Sequence, residues 1–391
     1  MPAETAKQFE ALEAQAQKIM SVFIKAGYEA VSPAIIQPAG VFLDVIGEAL
    51  RARTYVFTDP DGDELCLRPD LTVPTCRLHV ERTGGTKSAR YCYNGAAFRF
   101  QPVGSDGAHP REFRQAGIEC FGSENREKAE ARVVATIIEA IRSAGVKDFA
   151  LRFGDLGLFR AVMDAIDLPD RARERLKHMF WRPDAFLAEM KRLAGPRSVS
   201  IASLPPMLIA SLGGSDPTRG VTALNEQLAA SGIEAFGTRG TDEVAAILRA
   251  RVEDARAEAI PEETVAIIER YLAIEGPARA AGACLKDLMR DKGLRIAPAV
   301  DAYHARLKAL ADAGVDVVHA NFSADFGRSL EYYTGFVFEV VVPGLGEASP
   351  VAGGGRYDDL LAEVGAPADV DAVGAAIHTE RLLTAVKEAR A

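Results

Sequence analysis

The feature that most limits the fold of this 391-residue chain is a split in its patterning. Short extended runs bounded by turn residues fill roughly the first 160 residues and return at 316–341. Between them, 161–315 reads as mostly helical and rich in Ala, Arg and Glu, broken at Pro205-Pro206 and Gly213-Gly214. A sheet built from both extended stretches must close around that insertion. The expected organisation is therefore a discontinuous core, 1–160 with 316–391, carrying a mainly helical insertion at 161–315. Antiparallel strands with helices to one side make the expected class α+β, not a doubly wound parallel sheet.

Local patterns fill in this outline. Phe9, Leu12, Ala16, Ile19, Met20 and Phe23 recur at helical spacing and predict an amphipathic helix over 4–26, ended by Gly27. Tyr28 to Ser32 reads as a strand, and 54–80 as short extended runs around the turn Asp59-Pro60-Asp61-Gly62. Segments 90–101 and 112–122 read as a hairpin joined by the Gly- and Pro-containing loop Pro102 to Arg111. A helix is expected at 125–145, a strand and turn at 149–157, and a closing helix at 372–390.

Charge and cysteine usage narrow the functional classes. Net charge is −9 with an isoelectric point near 5.4, whereas gripping nucleic acid through its phosphates calls for a basic surface. A tRNA partner is not expected. Cys66, Cys76, Cys92, Cys120 and Cys284 are odd in number and lack paired metal spacing, which suits reduced thiols in a cytoplasmic protein. The histidines are scattered, so neither a metal nor another cofactor is expected. The charged N-terminal segment has no apolar targeting core, and no apolar run approaches a membrane span.

Several polar groups fall on shared faces. In RQAGIECFG, alternation puts Gln115, Gly117 and Glu119 on one side of a strand, and Arg99 and Gln101 share a face across the hairpin. In LRPDLT, Asp70 and Thr72 project together if the stretch is extended, and GRSLEYYTG places Arg328 and Glu331 beside Tyr332 and Tyr333. Taken singly, each has an ordinary role as a solvated charge or a packing ring. Together, carboxylates and amides suit an ammonium and an imidazole N–H, and an arginine suits a carboxylate.

Five segments, in order, resemble the histidyl-tRNA synthetase family of class II aminoacyl-tRNA synthetases. GYEAVSP resembles motif 1, the dimer-forming element, and AAFRF with PREFRQAGIECFG resembles motif 2. GRSLEYYTG and GGGRYDDL resemble the two histidine-specific segments, and VGAAIHTERLL resembles motif 3. The resemblance implies a class II synthetase-like antiparallel sheet flanked by helices. It also implies a histidine site in which Asp70, Thr72 and Gln115 face the α-amino group, Glu119 and Tyr333 face the imidazole with Tyr332 nearby, and Arg328 meets the carboxylate.

The nucleotide half departs from the pattern. Arg99 and Arg381 stand where the family grips ATP, but Gln101 replaces a Glu that binds the adenine amino group, and His378 replaces a glycine. His109 falls near the place of a phosphate-contacting arginine. These three, Arg99, Gln101 and Arg381, are expected to form a vestigial nucleotide site without catalysis. Ten residues follow Arg381, so no anticodon-binding domain is expected, and RPDLT resembles the ATP phosphoribosyltransferase regulatory-subunit branch of the family. That branch implies a non-catalytic role in histidine biosynthesis. Its partner is the short-form ATP phosphoribosyltransferase catalytic subunit, its feedback effector is L-histidine, and it self-dimerises through the motif 1 region. The competing expectations are a histidine-adenylating ligase and a free-standing amino-acid-binding dimer.

Overall fold

The computed structural model describes residues 5–43, 46–101, 110–195, 201, 204–214, 216–231, 240–256, 258–327, 331–346 and 349–388. Twelve strands occur among them: β1 Glu29–Ala30, β2 Ile36–Pro38, β3 Tyr55–Thr58, β4 Glu64–Leu67, β5 Ala89–Phe98 and β6 Glu112–Phe121. The rest are β7 Ala150–Asp155, β8 Glu275–Pro277, β9 Asn321–Ser323, β10 Phe336–Val341, β11 Ala352–Arg356 and β12 Ala372–His378.

The first helix, Ala6–Lys25, starts where Thr5 and Gln8 cap one another reciprocally. It buries Leu12, Ala16, Ile19 and Phe23, whereas Phe9 at its start is 49% exposed. Gly27 follows in the left-handed region, at φ 84°, and turns the chain into β1. β1 pairs in parallel with β5, matching Glu29 with Tyr91.

Nine strands form one sheet in the order β1-β5-β6-β12-β11-β10-β7-β9-β8. The long hairpin β5–β6 pairs Ala89 with Phe121 through to Phe98 with Glu112. β12, nearly at the end of the described chain, lies between β6 and β11, and both pairings are antiparallel. The two extended stretches of the sequence thus do share a sheet. The second sheet, β2-β4-β3, is small and antiparallel. Helix Arg126–Ala144, capped by Asn125, packs on β12 and against helices Ala6–Lys25 and Ala297–Asp312. These helices cover one face of the large sheet. Helix Thr72–Thr83 lies on the other, where the His79 ring sits 4.7 Å from that of Phe121.

The expected antiparallel sheet flanked by helices is therefore present, apart from the parallel pairs β1–β5 and β7–β9, with two local corrections. Residues 72–80 are helical, not extended: the Asp70 carboxylate accepts from Val73 N at 3.2 Å and closes the first turn, and Pro74 tolerates a place there. The expected closing helix at 372–390 is first the strand β12 and only then the helix Thr379–Glu388. The small residues of AVGAAIH fit between two neighbouring strands, and the backbone pairs with both.

The chain divides into two compact units, 1–166 with 267–391, and Asp167–Ala266. The smaller unit has its own apolar cluster, built on Leu208, Leu212, Leu224, Ala245 and Val252. It is shorter than the 161–315 stretch. β8 joins the large sheet through β9, and helix Ala297–Asp312 packs on Arg126–Ala144, so residues 267–315 fold with the larger unit.

Candidate functional site

The register of the sheet gathers one row of side chains beneath helix Thr72–Thr83. Gln115, Gly117 and Glu119 of β6 share a face, as alternation requires. Across β5 they oppose Gly95, Tyr93 and Tyr91, and across β12 they oppose His378, Ala376 and Gly374. The row continues into β11 with Gly353 opposite Ala376 and Gly355 opposite Gly374. The floor therefore carries hydrogens and methyls at its centre, which leaves room for tall side chains from the edges. A Cβ on Gly117 would meet the Tyr93 hydroxyl at 2.5 Å, and one on Gly355 would come within 3.0 Å of the Tyr333 ring.

Glu119 is fully buried at the centre. It accepts a hydrogen bond from the Tyr93 hydroxyl at 2.9 Å and another from the Tyr357 hydroxyl. Burial pushes its carboxyl up to about 7, partly offset by the hydroxyls of Tyr357, Thr72 and Tyr93. Asp70, at the start of helix Thr72–Thr83, is also buried and accepts from the Tyr332 hydroxyl at 3.4 Å. Its carboxyl too is raised by burial, against the pull of the Arg99 guanidinium.

Three tyrosines gather beside these two carboxyls. The rings of Tyr332 and Tyr333 lie 4.9 Å apart, and Tyr357 lies 5.8 Å from the first and 6.4 Å from the second. Gln115 is 4% exposed, and its Oε1 is buried without a hydrogen-bond partner among the described residues. An orphan acceptor of this kind is costly unless a donor reaches it. Two carboxylates, a free amide oxygen and aromatic walls over a glycine floor suit a small solute that carries several N–H donors and a flat ring.

The structure thus brings Asp70, Thr72, Gln115, Glu119, Tyr332 and Tyr333 to one side of the sheet. Arg328 lies outside the described residues, as does His109. Tyr332 reaches Asp70, while the hydroxyl that reaches Glu119 from this part of the chain belongs to Tyr357. Tyr357 and Tyr93 were not singled out from the sequence. The signal for Tyr93 was Gly117, since a glycine in mid-strand marks a close approach. The signal for Tyr357 was its place in GGGRYDDL.

A cleft of about 330 Å³ opens beside this cluster, lined among others by Arg53, Arg99, Gln101, Phe113, His378 and Arg381. Arg99 donates from Nε to Pro69 O at 2.8 Å and lies over the Phe113 ring at 5.1 Å. Arg381 donates to Pro350 O at 3.1 Å, and the Gln101 carbonyl accepts from Arg111 at 2.9 Å. The imidazole of His378 packs 5.4 Å from the Phe113 ring, so it takes up room at the cleft wall that a glycine would leave open. Among the described residues, no group of three or more His, Cys, Asp or Glu is placed to hold a metal ion. No described helix is long and apolar enough to cross a membrane.

Comparison with known proteins adds to this geometry. The profile of the histidyl-tRNA synthetase family matches residues 4–253 and 224–382. An ATP phosphoribosyltransferase regulatory subunit of Rhizobium rhizogenes is 36% identical over 356 residues, covering 91% of this chain and 93% of that protein. One from Rhizobium meliloti is 36% identical over 383 residues, covering 97% and 98%. Among solved structures, an ATP phosphoribosyltransferase regulatory subunit/histidyl-tRNA synthetase from Bacillus halodurans superposes with a TM-score of 0.69 at 19% identity. It covers 99% of this chain and 82% of its own. Histidyl-tRNA synthetase from Nostoc superposes with a TM-score of 0.63 at 17% identity, covering 99% and 74%.

Proposed function

Because the chain belongs to the ATP phosphoribosyltransferase regulatory subunits, within the histidyl-tRNA synthetase family, we propose that it binds L-histidine in the tyrosine-walled pocket as a feedback effector. In this reading it assembles with a short-form ATP phosphoribosyltransferase catalytic subunit, is required for that subunit's activity, and carries no catalysis of its own. It self-dimerises through the motif 1 region that begins at GYEAVSP, residues 27–33. It binds no tRNA and works in the cytoplasm.

The observation that carries the reading is the pairing of a pinned, buried Glu119 with the orphaned Oε1 of Gln115 over a floor of glycines. The Glu119 carboxylate takes an imidazole N–H, and Asp70 with the Gln115 oxygen takes the α-ammonium. Thr72 flanks both carboxylates. Tyr332 and Tyr333 enclose the ring, and Arg328 is assigned to the substrate carboxylate from the sequence pattern. Histidine then shifts assembly or activity only by its differential affinity for two states, typically about 1–3 kcal/mol. Calorimetric titration with L-histidine tests the pocket: binding that Asp70→Asn and Glu119→Gln each weaken supports it, and an absence of binding refutes it.

A second reading, a histidine-adenylating ligase, is favoured by Arg99 and Arg381 lining one cleft beside the pocket. Against it stand the Gln101 side chain in place of a carboxylate and the His378 ring at the wall. Histidine-dependent exchange between ATP and pyrophosphate separates the two. The regulatory reading expects none.

A further inference from the structure

On the face of the sheet opposite the pocket, charge is buried where an apolar layer would serve. Glu130 of helix Arg126–Ala144 is fully buried and joins two nearly buried arginines, Arg306 Nε at 2.5 Å and Arg356 Nε at 2.5 Å. Arg306, from helix Ala297–Asp312, continues to Asp155, whose other oxygen caps helix Leu156–Ala165 through Gly157 N at 2.8 Å. Arg356 continues to Asp358 at 2.8 Å and to the Arg126 carbonyl at 3.1 Å. Burial drives the Glu130 carboxyl up, but the two arginines more than reverse this and leave it below its ordinary value. Buried ionic chains seldom recover their desolvation cost when compared with apolar packing. Their placement is then the informative property.

Arg356 and Tyr357 are consecutive, and extended backbone sends consecutive side chains to opposite faces. Arg356 projects toward Glu130, and Tyr357 projects into the pocket, where its hydroxyl donates to Glu119. The backbone between them is tied by Tyr357 N to Ala372 O at 2.9 Å and by Thr334 N to Arg356 O at 2.8 Å. Asp358 N donates to Thr334 Oγ1 at 3.0 Å, so the loop that carries Tyr332 and Tyr333 is bound into the same knot.

We infer that the chain Arg306–Glu130–Arg356 is a positioning device for the pocket, setting the reach of the Tyr357 hydroxyl to Glu119 and with it the affinity for the amino-acid effector. The inference rests on the reading of the pocket as a histidine site. Glu130 and Arg306 lie behind the sheet and act through Arg356.

A double-mutant cycle on the full chain tests it, with Glu130→Gln, Tyr357→Phe and the pair. Each is measured for L-histidine affinity by calorimetry and for its unfolding midpoint without ligand. Positioning predicts a loss of roughly tenfold or more for Glu130→Gln alone, and no further loss when it is added to Tyr357→Phe, because the hydroxyl it positions is already gone. Losses that multiply overturn the inference, and so does an unchanged affinity in Glu130→Gln. Should that variant fail to fold, Asp358→Asn loosens the same arginine from the rim, with the same two outcomes. If the wild-type chain takes no histidine, the reading of the pocket falls on its own. Protein labelled with 3-fluorotyrosine then decides the positioning: the fluorine resonance removed by Tyr357→Phe moves in Glu130→Gln, and an unmoved resonance overturns it.

Discussion

Replacing Glu119 by glutamine should make the ligand-free protein more stable while spoiling its pocket. The carboxyl is raised from 4.5 to about 7 by burial, so the folded chain holds a proton that the unfolded chain has already released. The sign follows from linkage: between those two values the folded state binds more protons, and stability falls as pH rises through the window. Above it the full cost is present. The shift, 7 minus 4.5, is 2.5 pH units, worth about 3 kcal/mol at roughly 1.36 kcal/mol per unit. Glutamine keeps the shape and still meets the Tyr93 and Tyr357 hydroxyls, but has no charge to desolvate. The variant should therefore gain up to about 3 kcal/mol over wild type at pH 8, shrinking toward about 1 kcal/mol at pH 5.5. Urea unfolding of both proteins at the two pH values measures the difference, in which every other titrating group cancels. A gap that is absent, or that widens toward acid, would refute the assignment of Glu119 as a carboxyl strained by burial.

Other consequences are local. Tyr357→Phe removes a hydrogen bond to a buried carboxylate that is made without ligand, worth about 1.5–3 kcal/mol, so urea unfolding of the ligand-free chain should report destabilisation of that order, and L-histidine affinity measured by calorimetry should fall as well. Gly374→Ala sets a methyl against Glu119 Oε2 and 2.7 Å from the Tyr357 hydroxyl. Thermal unfolding should report about 1–3 kcal/mol of destabilisation, and histidine binding should be lost with it. His378→Gly clears the wall of the neighbouring cleft. Relief of about 1–3 kcal/mol of crowding raises ATP affinity roughly 5- to 150-fold in equilibrium dialysis, and an unchanged affinity would mean the imidazole does not limit that cleft.

Much of the fold could be read in the sequence because its signals are local. Helix Ala6–Lys25 declares itself through the spacing of Leu12, Ala16, Ile19 and Phe23, and the β5–β6 hairpin through alternation on both arms. β12 was hidden because Val373 to Ile377 is a run of small and apolar residues, buried on both faces, that carries no alternating pattern. The helix from Thr72 was hidden because its first-turn hydrogen bond comes from the Asp70 side chain and not from a conventional capping pattern. At the site, Gln115 and Glu119 were legible because both lie on one strand. Tyr93 and Tyr357 reach Glu119 from strands and loops 26 and 238 residues away in sequence, and only the register of β5, β6, β12 and β11 brings them together. The buried chain through Glu130 was illegible for the same reason, its partners coming from three separate elements.

The central claim is a regulatory one, and reconstitution of the transferase reaction tests it most directly. A short-form ATP phosphoribosyltransferase catalytic subunit is assayed alone, with this chain, and with its Glu119→Gln variant, across a range of L-histidine concentrations. The account predicts that activity appears when the wild-type chain is added, that histidine suppresses it, and that Glu119→Gln raises the half-inhibitory concentration at least about tenfold. A catalytic subunit indifferent to the chain would contradict the account, as would inhibition by histidine that is unchanged in the variant.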